Sequence, residues 1–168
     1  MGMPSKLKNM VLYNDGVSYL GQVSEVTIPT LARKFEGYRG NFDAEVQVDL
    51  GGETIEFEWK PGGQIDQVFT QFGAMTHDAI LLRWVGAYQD DSTGQYKTVE
   101  ITVRGRHQEI APGTGKTGED TEQTVKTICS YYKLTVDGRV LIEKDEVNLI
   151  FIVGGFDILA AQRAALGL

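Results

Sequence analysis

The chain has 168 residues and a mass of 18.6 kDa. Compact folding at that mass leaves about 8,200 Å² exposed of the roughly 27,000 Å² of the unfolded chain, which suits one domain with a sizeable core. Apolar residues at 42% and charged residues at 23% exclude a disordered chain, the single cysteine excludes an intrachain disulfide and a cysteine-based zinc site, and a net charge of −7, spread evenly over the two halves, gives direct nucleic-acid binding little electrostatic support.

Twenty glycines and four prolines punctuate short alternating segments, the spacing of a β-rich protein. Met10–Tyr13 and Val17–Leu20 flank Asn14-Asp15-Gly16, a short hairpin signal, and a further strand runs through Val23, Val26 and Ile28 to Pro29. The cleanest period of two spans Phe42 to Lys60. Phe42, Ala44, Val46, Val48 and Leu50 oppose Asp43, Glu45, Gln47 and Asp49; beyond Gly51-Gly52, Ile55, Phe57 and Trp59 oppose Glu56, Glu58 and Lys60. Read as a hairpin turning at Gly51-Gly52, this register pairs Val48 with Ile55, Val46 with Phe57, Ala44 with Trp59 and Glu45 with Glu58. Ile65, Val68, Phe69 and Phe72 then switch to a helical period within Gln64–Gly73, a short amphipathic helix with its stripe on the core.

Strands return at Ala79–Tyr88, with Ile80, Leu82 and Trp84 on one face, and at Tyr96–Arg106, with Val99, Ile101 and Val103 inward. The polar turn Asp90–Gly94 separates them. A loop is expected at Glu109–Asp120, followed by a hairpin of Val125–Val136 and Arg139–Glu143 across Asp137-Gly138. Asn148–Val153 is a final strand broken by Gly154-Gly155, and Asp157–Leu166 reads as a terminal helix stopped by Gly167. The expectation is one mainly β domain over residues 1–168, a two-sheet sandwich or split barrel with a short amphipathic helix and a C-terminal helix. Cys129 reads as a small core residue. Lys6 and Lys8 precede no signal-length apolar run and no stretch reaches membrane-span length, so the protein is expected to stay in a cytoplasm-like compartment or to leave it without a secretion signal.

Residues 110–117, Ile-Ala-Pro-Gly-Thr-Gly-Lys-Thr, end like a phosphate-binding loop. Ile110 stands where that motif needs its first glycine, and Gly118-Glu119-Asp120 with a β pattern follow where it needs a helix. The alternatives are a surface loop and a small nucleotide-binding site around Lys116. His77 reads as part of a turn and His107 as a solvated strand end beside Arg104 and Arg106; neither has a companion at ligand spacing. Asp90-Asp91 reads as a turn. No catalytic constellation, metal site or cofactor motif is present in the sequence. The acidic face of Asp43, Glu45, Gln47, Asp49, Glu56 and Glu58 has two readings: a solvated outer sheet face, or a wall whose negative potential prevents a polyanion from sticking.

Several stretches taken together resemble the major tail tube proteins of contractile-tailed phages and of R-type pyocin-like tailocins. They are residues 7–13 (LKNMVLY), 15–21 (DGVSYLG), 26–31 (VTIPTL) and 36–39 (EGYR); then 104–110 (RGRHQEI), 112–113 (PG) and 118–120 (GED); then 130–134 (SYYKL), Asp137-Gly138, 159–163 (LAAQR) and 166–168 (LGL). The chain departs from that pattern at Gly40-Asn41-Phe42, where a Gly-Gly-Met loop is usual, at Ala111, where Asp is usual, and at Gly115-Lys116-Thr117, which replaces a Trp-Lys-Pro-like stretch. A secretion-system tube component of similar fold is the structural alternative, and the 130–134 and 104–110 blocks match phage tubes better.

The resemblance implies hexameric rings stacked into a tube, with each subunit adding strands to a continuous inner barrel. The implied partners are further copies of the chain, the tail sheath, the tape-measure protein, and baseplate and tail-terminator proteins, with DNA only in transit and no membrane anchor. The implied location is the virion tail or tailocin particle, after assembly in the host cytoplasm. The role would be mechanical, with no enzymatic step. Asp43, Glu45, Gln47, Asp49, Glu56 and Glu58 would line the bore. Leu7, Tyr13, Arg33, Tyr38, Arg39, Arg104, Arg106 and Lys116 would contact neighbouring subunits, rings or sheath, within Leu7–Tyr13, Pro29–Asn41, the 109–120 loop and the C-terminal helix.

Overall fold

The computed structural model describes residues 2–168. In chain order the strands are β1 (Lys6–Asn14), β2 (Val17–Ser18), β3 (Val23–Thr27), β4 (Arg33–Tyr38), β5 (Val46–Gly52) and β6 (Ile55–Pro61). The helix α1 (Asp66–Gln71) follows. Then come β7 (Ile80–Gln89), β8 (Tyr96–Ala111), β9 (Thr124–Val136), β10 (Arg139–Asp145), β11 (Ile150–Val153) and β12 (Phe156–Asp157), and the chain finishes with α2 (Ala160–Ala165). Both Asp-Gly turns form as the sequence implies: Asp15 and Gly16, and Asp137 and Gly138, all have positive φ, the pattern of a two-residue hairpin.

Ten strands share one sheet in the order β12-β11-β10-β9-β8-β7-β1-β2, with β6 added to β9 and β3 to β6. The branch point is β9. Its residues 131–136 pair with β8 on one side and β10 on the other, while residues 124–129 pair with β8 and β6. The sheet therefore divides and curls over itself into a split barrel. The bend coincides with register shifts at Arg104/Gly105 on β8. At Gly105 a Cβ would fall onto the Ile128 carbonyl of β9, so only glycine lets the two backbones come so close.

Alternation on each body strand fills the core. Ile80, Leu82 and Trp84 of β7, Ile101 and Val103 of β8, and Ile55, Phe57 and Trp59 of β6 are all buried, with Leu12, Tyr19, Ile65, Val68, Val125, Cys129 and Tyr132 completing the cluster. The Tyr19 ring lies 5.7 Å from that of Trp59, closing the gap between the β1 and β6 sides. Cys129 is a core residue as its sequence context indicates, and burial pushes its thiol up to about 12.

The expected hairpin of residues 42–60 does not form. Gly51 and Gly52 end β5, and β6 finds its partners in β3 and β9, which occupy both of its edges. β5 pairs instead with β4 in a separate two-stranded sheet, with Tyr38 opposite Val46 and Glu36 opposite Val48. Both glycines instead lie within the β4–β5 ladder, Gly51 opposite Lys34 and Gly52 opposite Arg33. The β4–β5 unit is an insertion in the β3–β6 hairpin and projects as an arm. Boundaries also move: β8 continues through Glu109 to Ala111, and Asp157 belongs to β12 rather than to the terminal helix. Around α1, Ile65 and Val68 are buried while Phe69 and Phe72 are exposed.

Candidate interaction surfaces

The arm carries a run of unpartnered apolar side chains. Val46, Val48 and Leu50 alternate on β5, yet they are 50%, 43% and 51% exposed. On the same face Tyr38 is exposed and meets Phe42 edge-on, their ring centroids 6.3 Å apart. Arg39 braces the arm's turn by donating to the carbonyl oxygens of Phe42 and Asp43. A two-stranded ribbon with both edges open and an apolar face in water is marginal alone and is a template for pairing. The surface of the whole chain points the same way: 10,633 Å² is accessible, against about 8,200 Å² expected for a compact monomer of this mass.

The opposite arm face is mixed: Phe35, opposite Asp49 and 55% exposed, stands among polar side chains. The Gln47 amide donates to Glu45 at 3.1 Å, and Asp49 accepts from Arg33 at 3.0 Å. The Gly51 backbone N–H and then the Arg33 guanidinium hold the Asp49 carboxyl below its ordinary value. Asp43 lies in the bend before β5. Glu56 and Glu58 sit apart from these four, on the outer face of β6, so the expected opposition of Glu45 and Glu58 is absent. Glu58 is paired across the ladder with Lys126 of β9, and Glu56 with Ile128, whose other neighbour is Arg106. Lys60 of the same face lies 3.7 Å from Glu25. Acids and bases alternate there because neighbouring strands supply the counter-charges, which the sequence of one strand cannot reveal.

The remaining sequence-derived contact residues are scattered. Leu7 lies on the half of β1 whose outer edge has no strand partner among the described residues, since β2 pairs only with Tyr13 and Asn14. Tyr13 is half-buried under the Arg83 guanidinium, 4.7 Å from its ring. Arg104 and Arg106 are exposed on β8. Lys116 pairs with Glu119 at 3.0 Å in an exposed loop. That loop leads into β9 without a helix, so the anion-cradling geometry of a phosphate-binding loop is not built. The C-terminal helix buries none of its residues and is held by Arg163, which donates to the Leu149 carbonyl at 2.7 Å and pairs with Asp157.

His107 is not a solvated strand end. It is 6% exposed and anchors a network that ties α1 to the body. Gln71 Nε2 donates to Asn14 Oδ1 at 2.7 Å and to Asp15 at 2.8 Å, so its Oε1 is the acceptor, taking Asn14 Nδ2 at 2.8 Å. His107 Nε2, 3.1 Å from that oxygen, must therefore carry a proton, and Nδ1 accepts from the Thr127 hydroxyl at 2.8 Å. Burial lowers its pKa to about 4, partly opposed by Asp15. The inward alternation from Ile101 through Val103 and Gly105 places His107 inside, a signal the sequence carried. His77 does lie in a turn, its Nδ1 2.7 Å from the Ser130 hydroxyl. Among the described residues no group of His, Cys, Asp and Glu is placed to hold a metal, and no helix is long and apolar enough to cross a membrane.

Comparison with known proteins bears directly on these surfaces. The chain is 44% identical to the tail tube protein of Escherichia phage P2 over a 172-residue alignment covering 100% of both. It is 37% identical over 154 residues to the major tail tube protein of Serratia phage KSP20, covering 90% of this chain and 88% of that one. Its fold is similar to a solved sheath/tube terminator of the PVC extracellular contractile injection system in the extended state, with a TM-score of 0.58 at 6% identity over 79% of this chain and 97% of that chain. A PVC sheath–tube complex matches with a TM-score of 0.55 at 6% identity over 79% and 91%. The profile of the phage tail tube protein FII family matches residues 4–167, and the chain belongs to that family, as a structural component of the phage tail and not an enzyme.

Proposed function

We propose that six copies of this chain close into a ring and that rings stack into the hollow inner tube of a contractile tail. The observation that carries this reading is the arm: an apolar strand face with two open edges, on a tail tube protein, calls for a neighbouring copy to cover it. The free half of β1, around Leu7, offers a second edge for strand addition between subunits. Arg33, Tyr38 and Arg39 act through the arm, while Arg104, the Lys116 loop and the C-terminal helix supply further subunit or sheath contacts; Arg106 shares the outer face of Glu56 and acts between subunits there. The excess of exposed surface, about 2,400 Å² over the compact expectation, is of the size that inter-subunit contacts would bury.

In this arrangement Asp43, Glu45, Gln47, Asp49, Glu56 and Glu58 face the bore. They lie on faces turned away from the apolar sets of their strands, so packing the latter leaves the former in water. A negative bore gives DNA no sticking point during transit. The tape-measure protein occupies the bore during assembly in the host cytoplasm. The sheath surrounds the tube and drives it through the target envelope, and baseplate and terminator proteins close its ends. The test is negative-stain electron microscopy of the concentrated protein with and without Val48→Asp. Six-fold rings or hollow rods from the native chain, lost in the variant, are expected; rods of undiminished yield from the variant would remove the arm from the assembly.

A further inference from the structure

The arm leaves the body through two connectors, residues 28–32 and 53–54, and shares no ladder with the ten-stranded sheet. The Glu53 N–H donating to the Ala32 carbonyl at 3.0 Å closes its base without fixing its direction. What meets the base is a rung of the body. Arg33 and Gly52 form the first rung of the arm, and Lys144 of β10 and Phe151 of β11 are opposite each other on the body sheet. The Arg33 guanidinium lies 5.2 Å from the Phe151 ring centroid and the Lys144 ammonium 5.7 Å from it, both within cation–π range.

Each cation also has its own acid: Arg33 pairs with Asp49 of the arm at 3.0 Å, and Lys144 with Glu146 at 2.6 Å. Lys144 is 5% exposed, the one lysine among the buried polar residues. A Cβ on Gly52 would meet the Lys144 ammonium, so the buried lysine passes directly beneath the last residue of the arm. Burying a cation has a desolvation cost that a surface-bound arm would not require.

We propose that Phe151, clasped by Arg33 and Lys144, is a latch that sets the direction in which the β4–β5 arm leaves the body, so that the arm is presented to its neighbour already aimed. Arg33, Lys144 and Phe151 are positioning residues: they need touch no neighbouring subunit. The proposal rests on the arm being an assembly element. Holding the arm in its bound direction removes ordering entropy that association would otherwise have to overcome, so loosening the latch raises the concentration needed for assembly while the body stays folded.

The experiment is double electron–electron resonance on free subunits carrying nitroxides at Asn41→Cys on the arm and Gln95→Cys on the body. The buried native Cys129 stays unlabelled. In the native background the distance distribution is expected to be narrow. Phe151→Leu, which keeps an apolar side chain without the ring, and Arg33→Gln, at a half-exposed site, are each expected to broaden it at least two-fold. The melting temperature should be unchanged, and the critical concentration for rod formation should rise at least ten-fold. A broad native distribution, or a distribution unmoved by both substitutions, overturns the latch. Val48→Asp separates the two ideas: if it leaves rods intact the arm is not an assembly element, and if it abolishes rods while the latch variants stay narrow and assemble normally, only the latch fails.

Discussion

β5 and β6 are adjacent in the chain and carry the same alternation, but their apolar faces have opposite fates. Ile55, Phe57 and Trp59 of β6 are at most 3% exposed, whereas Val46, Val48 and Leu50 of β5 are at least 43% exposed. Alternation states that one face of a strand is meant for burial; it does not state which chain does the burying. In β6 the burial happens on folding, between the two halves of a split barrel. In β5 it is deferred until subunits meet. Stability and assembly are therefore encoded in neighbouring strands of similar appearance, and substitutions in the two should separate cleanly.

The largest effect on folding belongs to the body. Phe57→Ala, at a fully buried site, is expected to cost about 3–5 kcal/mol, and urea denaturation of the free subunit measures it. Gly105→Ala belongs with it: the added methyl meets the Ile128 carbonyl, which is backbone and cannot turn aside, and a loss of roughly 1–3 kcal/mol or more is expected by the same assay. Val48→Asp inverts the pattern. It should change the stability of the free subunit by no more than about 0.5 kcal/mol and yet abolish rods in the electron microscope. If Val48→Asp destabilises the free subunit as strongly as Phe57→Ala does, the arm face is buried within the monomer and the contrast between the strands disappears.

The His107 network gives the body a pH dependence rooted in a buried group. The unfolded imidazole titrates near 6.5 and the folded one near 4, so its contribution is fully present above pH 6.5 and is lost as pH falls from 6.5 towards 4. The loss should be on the order of 3 kcal/mol, read as a falling urea midpoint, and His107→Gln should flatten it. Reversing charge at Glu45 and Glu58 together to Lys should leave rings intact and slow DNA passage; unimpaired ejection through such tubes would discard a negative bore. The smallest effect is at Lys116→Ala, where removing an exposed ion pair is expected to change stability by under about 0.5 kcal/mol and to leave melting unresponsive to added ATP.

Much of the body was legible in the sequence because its signals are local. The Asp15-Gly16 and Asp137-Gly138 turns, the inward sets Ile80-Leu82-Trp84 and Val99-Ile101-Val103, and the break at Gly154-Gly155 all lie where periodicity and turn chemistry place them. The failure at residues 42–60 has a physical cause. A perfect apolar register between β5 and β6 competes with two other partners for β6, and only the three-dimensional arrangement shows that β3 and β9 hold both of its edges. Arg104 and Arg106 just before His107 suggest a solvated strand end, although its place in the alternation of β8 points inward. The surfaces were less legible. The acidic set divides between arm and body because strand partners decide which acids become neighbours, and the cluster of Arg33, Lys144 and Phe151 joins residues more than a hundred positions apart without any motif.

The most direct test of deferred burial is hydrogen exchange of the backbone amides of residues 33–52, compared between free subunits and assembled tubes, with residues 55–61 as the internal reference. If neighbouring copies cover the arm, its amides exchange quickly in the free subunit and become strongly protected in the tube, while those of β6 are protected in both. Equal exchange of the arm in the two states would contradict it, and the apolar face of β5 would then have no partner in the tube.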